Sequence, residues 1–481
     1  MSLASELSRL IPEIVVSVMA CVILVADQTR LERIRNLPFA LTLLTLLVVC
    51  ALTASQVYRE SATVVEGMFA DDAFATVTKF MICLLGVAVF VYSRSYSEQR
   101  DIARSEYYVL GLFGILGMMI MSSADHLLVL YLGLELMSLC LYAMIAFQRD
   151  SALATEAAMK YFVLGAIGSG SLLYGLSILY GLTGSLDISI IHATLVDSSE
   201  QNLPLIFALV FVVTAIAFKL GAAPFHMWVP DVYHGAPTAT TVYLGSMPKI
   251  AAFAMLMRLL IGGLESLAPI WQDMFIIIAL LSIAVGNLIA IAQTNLKRMF
   301  AYSTIAHMGF MLLGILSGSQ EGYTASLFYV LVYAVMSLGA FGIIVISASK
   351  GDESDLIKDY SGLNARDPWM AFWLLLLMFS LAGVPPTVGF YAKLAVIQAL
   401  VDANLVWVAV IAVLLAVVGA FYYLRIIKVV YFDDISEQPI DFDRTAHTRV
   451  LLGFNAIVLV AILPWVGSAI AICQQAILSL G

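Results

Sequence analysis

Charge is what this chain has least of. Asp, Glu, Lys and Arg make up 12% of its 481 residues and 62% are hydrophobic, whereas a soluble domain carries about 25% charged residues. No soluble core absorbs that apolar excess. Apolar runs of about 17–25 residues, long enough to cross roughly 30 Å of hydrocarbon, recur from end to end. Cysteine is also scarce: Cys21, Cys50, Cys83, Cys140 and Cys473 sit singly in apolar segments, without the CxxC spacing of disulfide, zinc or iron–sulfur chemistry. The six histidines form no helix-spaced pair of the kind that ligates haem. The chain is therefore expected to hold no metal and no redox centre. Its net charge of −9, with acids clustered in loops such as Asp352-Glu353-Ser354-Asp355 and Asp433-Asp434, argues against nucleic acid as a partner. Glu13 inside the first apolar run, with no small-residue cleavage site after it, predicts a retained helix in place of a signal peptide.

What is present is an all-α membrane protein of about 14 transmembrane helices. Spans are predicted near 10–26, 37–54, 73–93, 107–123, 126–147, 157–181, 203–222, 238–262, 270–292, 299–317, 323–349, 368–400, 405–431 and 449–472. The odd-numbered loops hold Arg30, Arg33, Arg35, Arg94, Arg100, Arg104, Arg149, Lys297, Arg298, Lys350, Lys358, Arg366, Arg444 and Arg449, while the even-numbered loops hold little besides Arg59. By the positive-inside rule the odd loops are cytoplasmic and both termini face the opposite compartment.

Two spans are interrupted. Span 7 runs through Lys219-Leu220-Gly221-Ala222-Ala223-Pro224, and span 12 through Gly383-Val384-Pro385-Pro386 to Lys393. Proline removes a backbone donor and clashes with the preceding turn, so both spans are expected to unwind there. Each break is the fourth span of a five-span block, and paired breaks in matching positions point to a transporter built from inverted repeats. The predicted organisation is an N-terminal three-helix segment (1–106), a first repeat of spans 4–8 (107–262), a second of spans 9–13 (263–431) and a C-terminal span 14 (432–481).

Five lysines fall inside spans: Lys79, Lys160, Lys219, Lys249 and Lys393. An intramembrane ion costs at least about 2.5–3.5 kcal/mol, so each needs a partner, a water-filled cavity or a neutral state. Glu135 stands mid-span on span 5, and Lys219 is its expected partner at about 4–6 Å. Desolvation lowers a lysine pKa and a nearby carboxylate restores it, so such a pair can load and unload a proton without a cofactor. The alternative is a static pair that fixes packing. Lys249 is expected to face the same interior or to snorkel to a helix end. Lys393 is expected to be the exit group of the second half, or else to form an ion pair with an acid elsewhere in the chain. His226 at the first break and His307 on span 10 either bridge between lysines or are satisfied core histidines. Lys160, four residues after Glu156, forms a helical pair with either a structural or a proton-collecting role. Lys79 is expected at the lipid interface.

The runs Leu130–Leu136, Phe218–Tyr233, Gln293–Arg298 and Ser380–Pro385 resemble the antiporter-like membrane subunits of NADH:quinone oxidoreductase, respiratory complex I, and the related multisubunit cation/proton antiporters. The resemblance spans most of the chain from span 4 to span 13. It implies that Glu135, Lys219, Lys249 and Lys393 lie on a proton-transfer axis, and that NADH, FMN, iron–sulfur clusters and quinone are bound by partner subunits. It also implies neighbours among the complex I membrane subunits, in a bacterial inner membrane with the termini periplasmic. Lys393 in place of a glutamate, the run Asp231–His234 before Gly235-Ala236-Pro237, and the lack of a long lateral helix after span 14 are similar to one of the family's subunit types. The leading expectation is redox-driven proton pumping. The alternatives are a subunit of a cation/proton antiporter and a structural spacer that only docks neighbouring pumps.

Overall fold

The computed structural model describes residues 3–27, 36–57, 59–197, 203–348, 353, 355–435, 442 and 445–480. Arg30, Arg33, Arg35, Lys350, Asp352 and Arg444, which entered the charge count, lie outside the described residues. The chain opens with α1 (Leu3–Arg9), α2 (Ile11–Asp27) and α3 (Leu37–Gln56). A short hairpin of β1 (Ala62–Val64) and β2 (Phe69–Asp71), paired with Val64 opposite Phe69, leads into α4 (Ala73–Gln99). The first helical group continues with α5 (Ser105–Ser123), α6 (Leu127–Ile145), α7 (Ala152–Thr183), α8 (Ile188–Asp197), α9 (Leu203–Leu220), α10 (Trp228–Gly235), α11 (Thr238–Gly245) and α12 (Met247–Leu256). The second comprises α13 (Ala268–Ala292), α14 (Leu296–Ile315), α15 (Gln320–Ser347), α16 (Leu363–Arg366), α17 (Pro368–Ala382), α18 (Val388–Asp402) and α19 (Val406–Phe432). The pair α20 (Ala446–Ala461) and α21 (Val466–Leu478) closes the described chain.

Among the described residues, ten helices are long and apolar enough to cross a bilayer, or eleven when α20 and α21, bent by 51° at their junction, count as one span. The other three expected spans fall on α2, on α14, which opens on Lys297-Arg298, and on the broken pair α17–α18.

Helix starts follow the sequence. Asp72, Ser151, Asn295, Ser319 and Asp367 accept hydrogen bonds from the first-turn amides of α4, α7, α14, α15 and α17, each removing one unpaired donor at a helix start. The helices α11, α12 and α15 form the enclosed centre, and nearly all their residues are buried. The helices α6, α7 and α19 present Leu132, Ile167 and Val417 outward. Two tight pairs, α5 with α6 and α13 with α14, rest on small residues. A Cβ added at Gly117 lies 2.6 Å from the Gly133 carbonyl, and one added at Gly286 lies 2.7 Å from the Tyr302 carbonyl. Such close approach is how helices associate where hydrophobic burial gives no preference for protein over lipid.

Candidate functional site

Both predicted interruptions are present and they are built alike. Helix α9 stops at Gly221 (φ +78°) and α17 at Gly383 (φ +81°), a left-handed turn that glycine adopts without a Cβ penalty. Each stop leaves carbonyls without helical partners, and a lysine meets them. Lys249 Nζ donates to the Leu220 carbonyl at 3.0 Å, and Lys393 Nζ donates to those of Leu381 and Ala382 at 3.1 and 2.9 Å. The negative end of a helix dipole favours a cation there.

Lys219, in the last turn of α9, is buried and donates to Ser138 Oγ on α6 at 2.9 Å and Ser169 Oγ on α7 at 3.3 Å. The expected direct pair with Glu135 is not formed. Ser138, one turn further along α6, takes that place, and Glu135 Oε1 is buried without a hydrogen-bond partner.

Lys249 does not snorkel: it is 1% exposed. The predicted span 8 is divided at Ser246, which puts Lys249 in the first turn of α12 rather than in mid-helix. The positive end of the α12 dipole opposes a fixed charge there, offset by the rings of Trp228 at 5.2 Å and Tyr233 at 5.9 Å.

His307 has both ring nitrogens bonded, Nδ1 to Tyr329 Oη at 2.8 Å and Nε2 to Tyr423 Oη at 3.1 Å. It lines, with Lys393, Phe310, Asn287, Tyr422 and Tyr423, a cavity of about 10 Å³, near the lower bound for a single water. Between Lys249 and His307 lie Tyr233 and Tyr333. Tyr333 donates to Thr304 Oγ1 at 2.8 Å and its ring centroid is 5.1 Å from that of His307. The described side chains thus form a polar seam from Ser138 and Lys219 through Lys249, Tyr233, Tyr333 and His307 to Lys393.

The serines and tyrosines of this seam escaped the sequence reading. Their one sequence signal was hydroxyls recurring mid-span, and in lipid-facing helices a hydroxyl satisfies itself on the i−4 carbonyl. His226 is not brought into the seam: it is half-buried on the first break, its Nδ1 unpartnered. Lys160 does pair with Glu156 at 2.8 Å, but it also reaches Asp231 on α10 at 2.7 Å. Lys79 corrects the expectation of a lipid-interface residue. It is 3% exposed and pairs with Glu13 on α2 at 2.5 Å, because the three N-terminal helices pack against the bundle and enclose it.

At the end of the bundle bearing the odd-numbered loops, Glu353 accepts from Tyr96 Oη, Thr238 Oγ1 and Lys297 Nζ, the last at 2.7 Å. Burial works to raise its carboxyl, and Lys297 with these hydrogen bonds outweighs burial and holds it at about 2. Among the described residues no three His, Cys, Asp or Glu side chains converge as a metal site.

A helical bundle with two broken helices, whose ends are met by the buried Lys249 and the half-buried Lys393, defines the antiporter-like class of membrane subunits. The NADH:quinone oxidoreductase/Mrp antiporter transmembrane family matches residues 124–419. NADH-quinone oxidoreductase subunit N of Thiobacillus denitrificans is 54% identical over 467 residues, covering 97% of this chain and 96% of the relative. A chain of respiratory complex I from Thermus thermophilus superposes with a TM-score of 0.82 at 29% identity, covering 96% of this chain and 99% of that one. A chain of the Mrp complex from Dietzia sp. shares the fold, with a TM-score of 0.86 at 19% identity over 98% of this chain and 97% of that one. The chain belongs to the NADH-quinone oxidoreductase subunit N family, as a multi-pass membrane protein.

Proposed function

We propose that this chain is the proton-translocating subunit N of a bacterial NADH:quinone oxidoreductase, moving protons along the seam from Glu135 and Lys219 through Lys249 and His307 to Lys393. The observation that carries this reading is that Lys219 and Lys249 are buried and Lys393 half-buried, and among the described residues their hydrogen bonds run to hydroxyls and helix-end carbonyls and none to a carboxylate. A static ion pair needs a counter-ion, whereas a group that alternates between charged and neutral needs neutral acceptors that tolerate both states. Glu135 acts on Lys219 from beyond Ser138, so a change in that carboxylate's charge or distance loads or unloads the ammonium. Tyr233, Tyr333 and Thr304 are hydroxyl stepping points, and His307, bonded at both nitrogens, takes a proton on one and gives it from the other. His226 has no support as a relay group, and Lys160 acts at the periphery.

In this reading ten of about fourteen spans form two inverted five-span repeats, flanked by three N-terminal spans and one C-terminal span, and the two helix breaks at Gly221 and Gly383 support it. Glu135 on α6 and His307 on α14 occupy matching helices, as do the two broken helices. Two half-channels opening to opposite faces follow from that arrangement. The odd-loop arginines and lysines favour periplasmic termini and the inner membrane. NADH, FMN, iron–sulfur clusters and quinone belong to partner subunits, with other antiporter-like and small membrane subunits as neighbours. The cation/proton antiporter alternative is disfavoured for sodium, since neither Gly221–Pro224 nor Gly383–Pro386 contains a carboxylate.

The test is Lys219→Ala in the assembled, reconstituted complex, with proton uptake measured beside NADH oxidation. The ratio of protons to electrons is expected to fall. Pumping at the normal ratio removes Lys219 from the mechanism and favours the spacer reading.

A further inference from the structure

Helix α10 is a short, separate rod between the first break and the centre of the bundle. At its start Trp228 touches the surroundings of both lysines: its indole N–H donates to the Phe218 carbonyl at 3.0 Å, beside Lys219, and its ring lies 5.2 Å from Lys249 Nζ. Tyr233, further along the same rod, is the other ring against Lys249. One turn after Trp228, Asp231 is held by two cations from two different helices, Lys160 of α7 at 2.7 Å and Arg298 of α14 at 2.7 Å. Each of those helices reaches the seam nine residues later, α7 at Ser169 and α14 at His307, about 13–14 Å along the axis at 1.5 Å per residue. Tyr161, next to Lys160, stacks on Trp228 with centroids 4.6 Å apart. Three elements that carry relay contacts are thus pinned to one carboxylate.

We propose that Asp231 is a positioning residue: it clamps α10 between α7 and α14 so that Trp228 and Tyr233 keep Lys219 and Lys249 in register with each other and with His307. The inference rests on the proton-relay reading above. Its physical core is that the clamp is ionic and two-sided. Glu156 competes for Lys160 at 2.8 Å, and Asp355 and Lys297 add charge nearby, with His234 neutral between them, but Asp231 alone joins Lys160 to Arg298. Partial burial works to raise the Asp231 carboxyl, and the hydrogen bonds from Lys160 and Arg298 outweigh it, so the group is held below its ordinary value and stays ionised. A neutral isostere keeps the shape of the site and loses both attractions.

The experiment compares Asp231→Asn, Asp231→Glu and Lys249→Ala in the whole complex reconstituted in vesicles, with assembly, NADH oxidation and proton uptake measured together. Asp231→Asn is expected to lower protons per NADH at least twofold while the complex assembles, and Asp231→Glu, which keeps both ion pairs, to retain more than half of wild-type pumping. A role for shape alone predicts the reverse order of severity. If Asp231→Asn fails to assemble, Arg298→Gln and Lys160→Gln each leave one partner, and each is expected to give an intermediate ratio. Normal pumping in Asp231→Asn, or in both single-partner variants, overturns the clamp. Normal pumping in Lys249→Ala overturns the relay reading instead, whatever Asp231 does.

Discussion

Lys79 and Glu13 meet at 2.5 Å with both side chains below a tenth exposed, in an environment where neither can turn to water. Removing one partner of such a pair leaves the other charge buried and costs about 3–5 kcal/mol, whereas removing both is often neutral. Lys79→Met is therefore expected to lower the thermal stability of the purified complex's membrane arm, and Glu13→Gln combined with Lys79→Met to recover most of the loss. Equal stability of the single and double variants counts against an ion pair that holds α2 to α4. Glu353 is a second case, at the bundle end. Its carboxyl is held at about 2 against an ordinary 4.5, and a depressed folded-state pKa stabilises above the unfolded value and loses that contribution as pH falls through the folded one. Glu353→Gln is expected to melt earlier than the wild type at pH 7, and the gap to close between about pH 4.5 and pH 2. A gap that persists at pH 2 shows that its origin is not the carboxylate charge. His234 differs: burial, then the nearby Lys297, lowers its pKa, so at pH 7 it faces Asp355 as a neutral ring.

At the scale of elements, the two breaks share one construction, a left-handed glycine followed by lysine capture of the freed carbonyls. A Cβ at Gly383 lies 2.8 Å from Lys393 Cδ, and a left-handed φ at a non-glycine residue costs about 1–2 kcal/mol. Gly383→Ala is expected to displace the Lys393 ammonium from Leu381 and Ala382 and to lower proton uptake, with NADH oxidation less affected. Gly170→Ala on α7, where an added Cβ meets nothing within 4 Å, serves as the control and is expected to pump normally. Equal pumping in both variants separates the break from the mechanism. These breaks were legible in the sequence because Gly and Pro act through local backbone sterics. The division at Ser246 was not read from the sequence, although Pro248 stands two residues after it. The β1–β2 hairpin, three residues a strand, and the separate rod α10 were not, since neither has a length or period that stands out from a loop.

For the whole molecule, α15 is the centre on which both helical groups close, and it touches α4, α11, α12, α14, α17, α18, α20 and α21. A helix buried on every side at the centre of a bundle gives no stripe to read. This explains which expectations succeeded. That Lys219, Lys249 and Lys393 stand as charges in apolar helices, that the chain is a helical membrane bundle, and where two of its helices break were all determined by the sequence, because each depends on composition within one or two turns: a charge in an apolar run, or a glycine or proline in a helix. Which neighbour each charge meets was decided only by the tertiary structure. In lipid the outward face of a helix is as apolar as the inward one, so the amphipathic pattern that orients a soluble helix is missing. Rotation about each axis is then set by side-chain packing and by close contacts such as Gly117 with Gly133. Hence Glu135 was paired in expectation with Lys219, where Ser138 stands, and Lys79 was assigned to lipid, where Glu13 receives it.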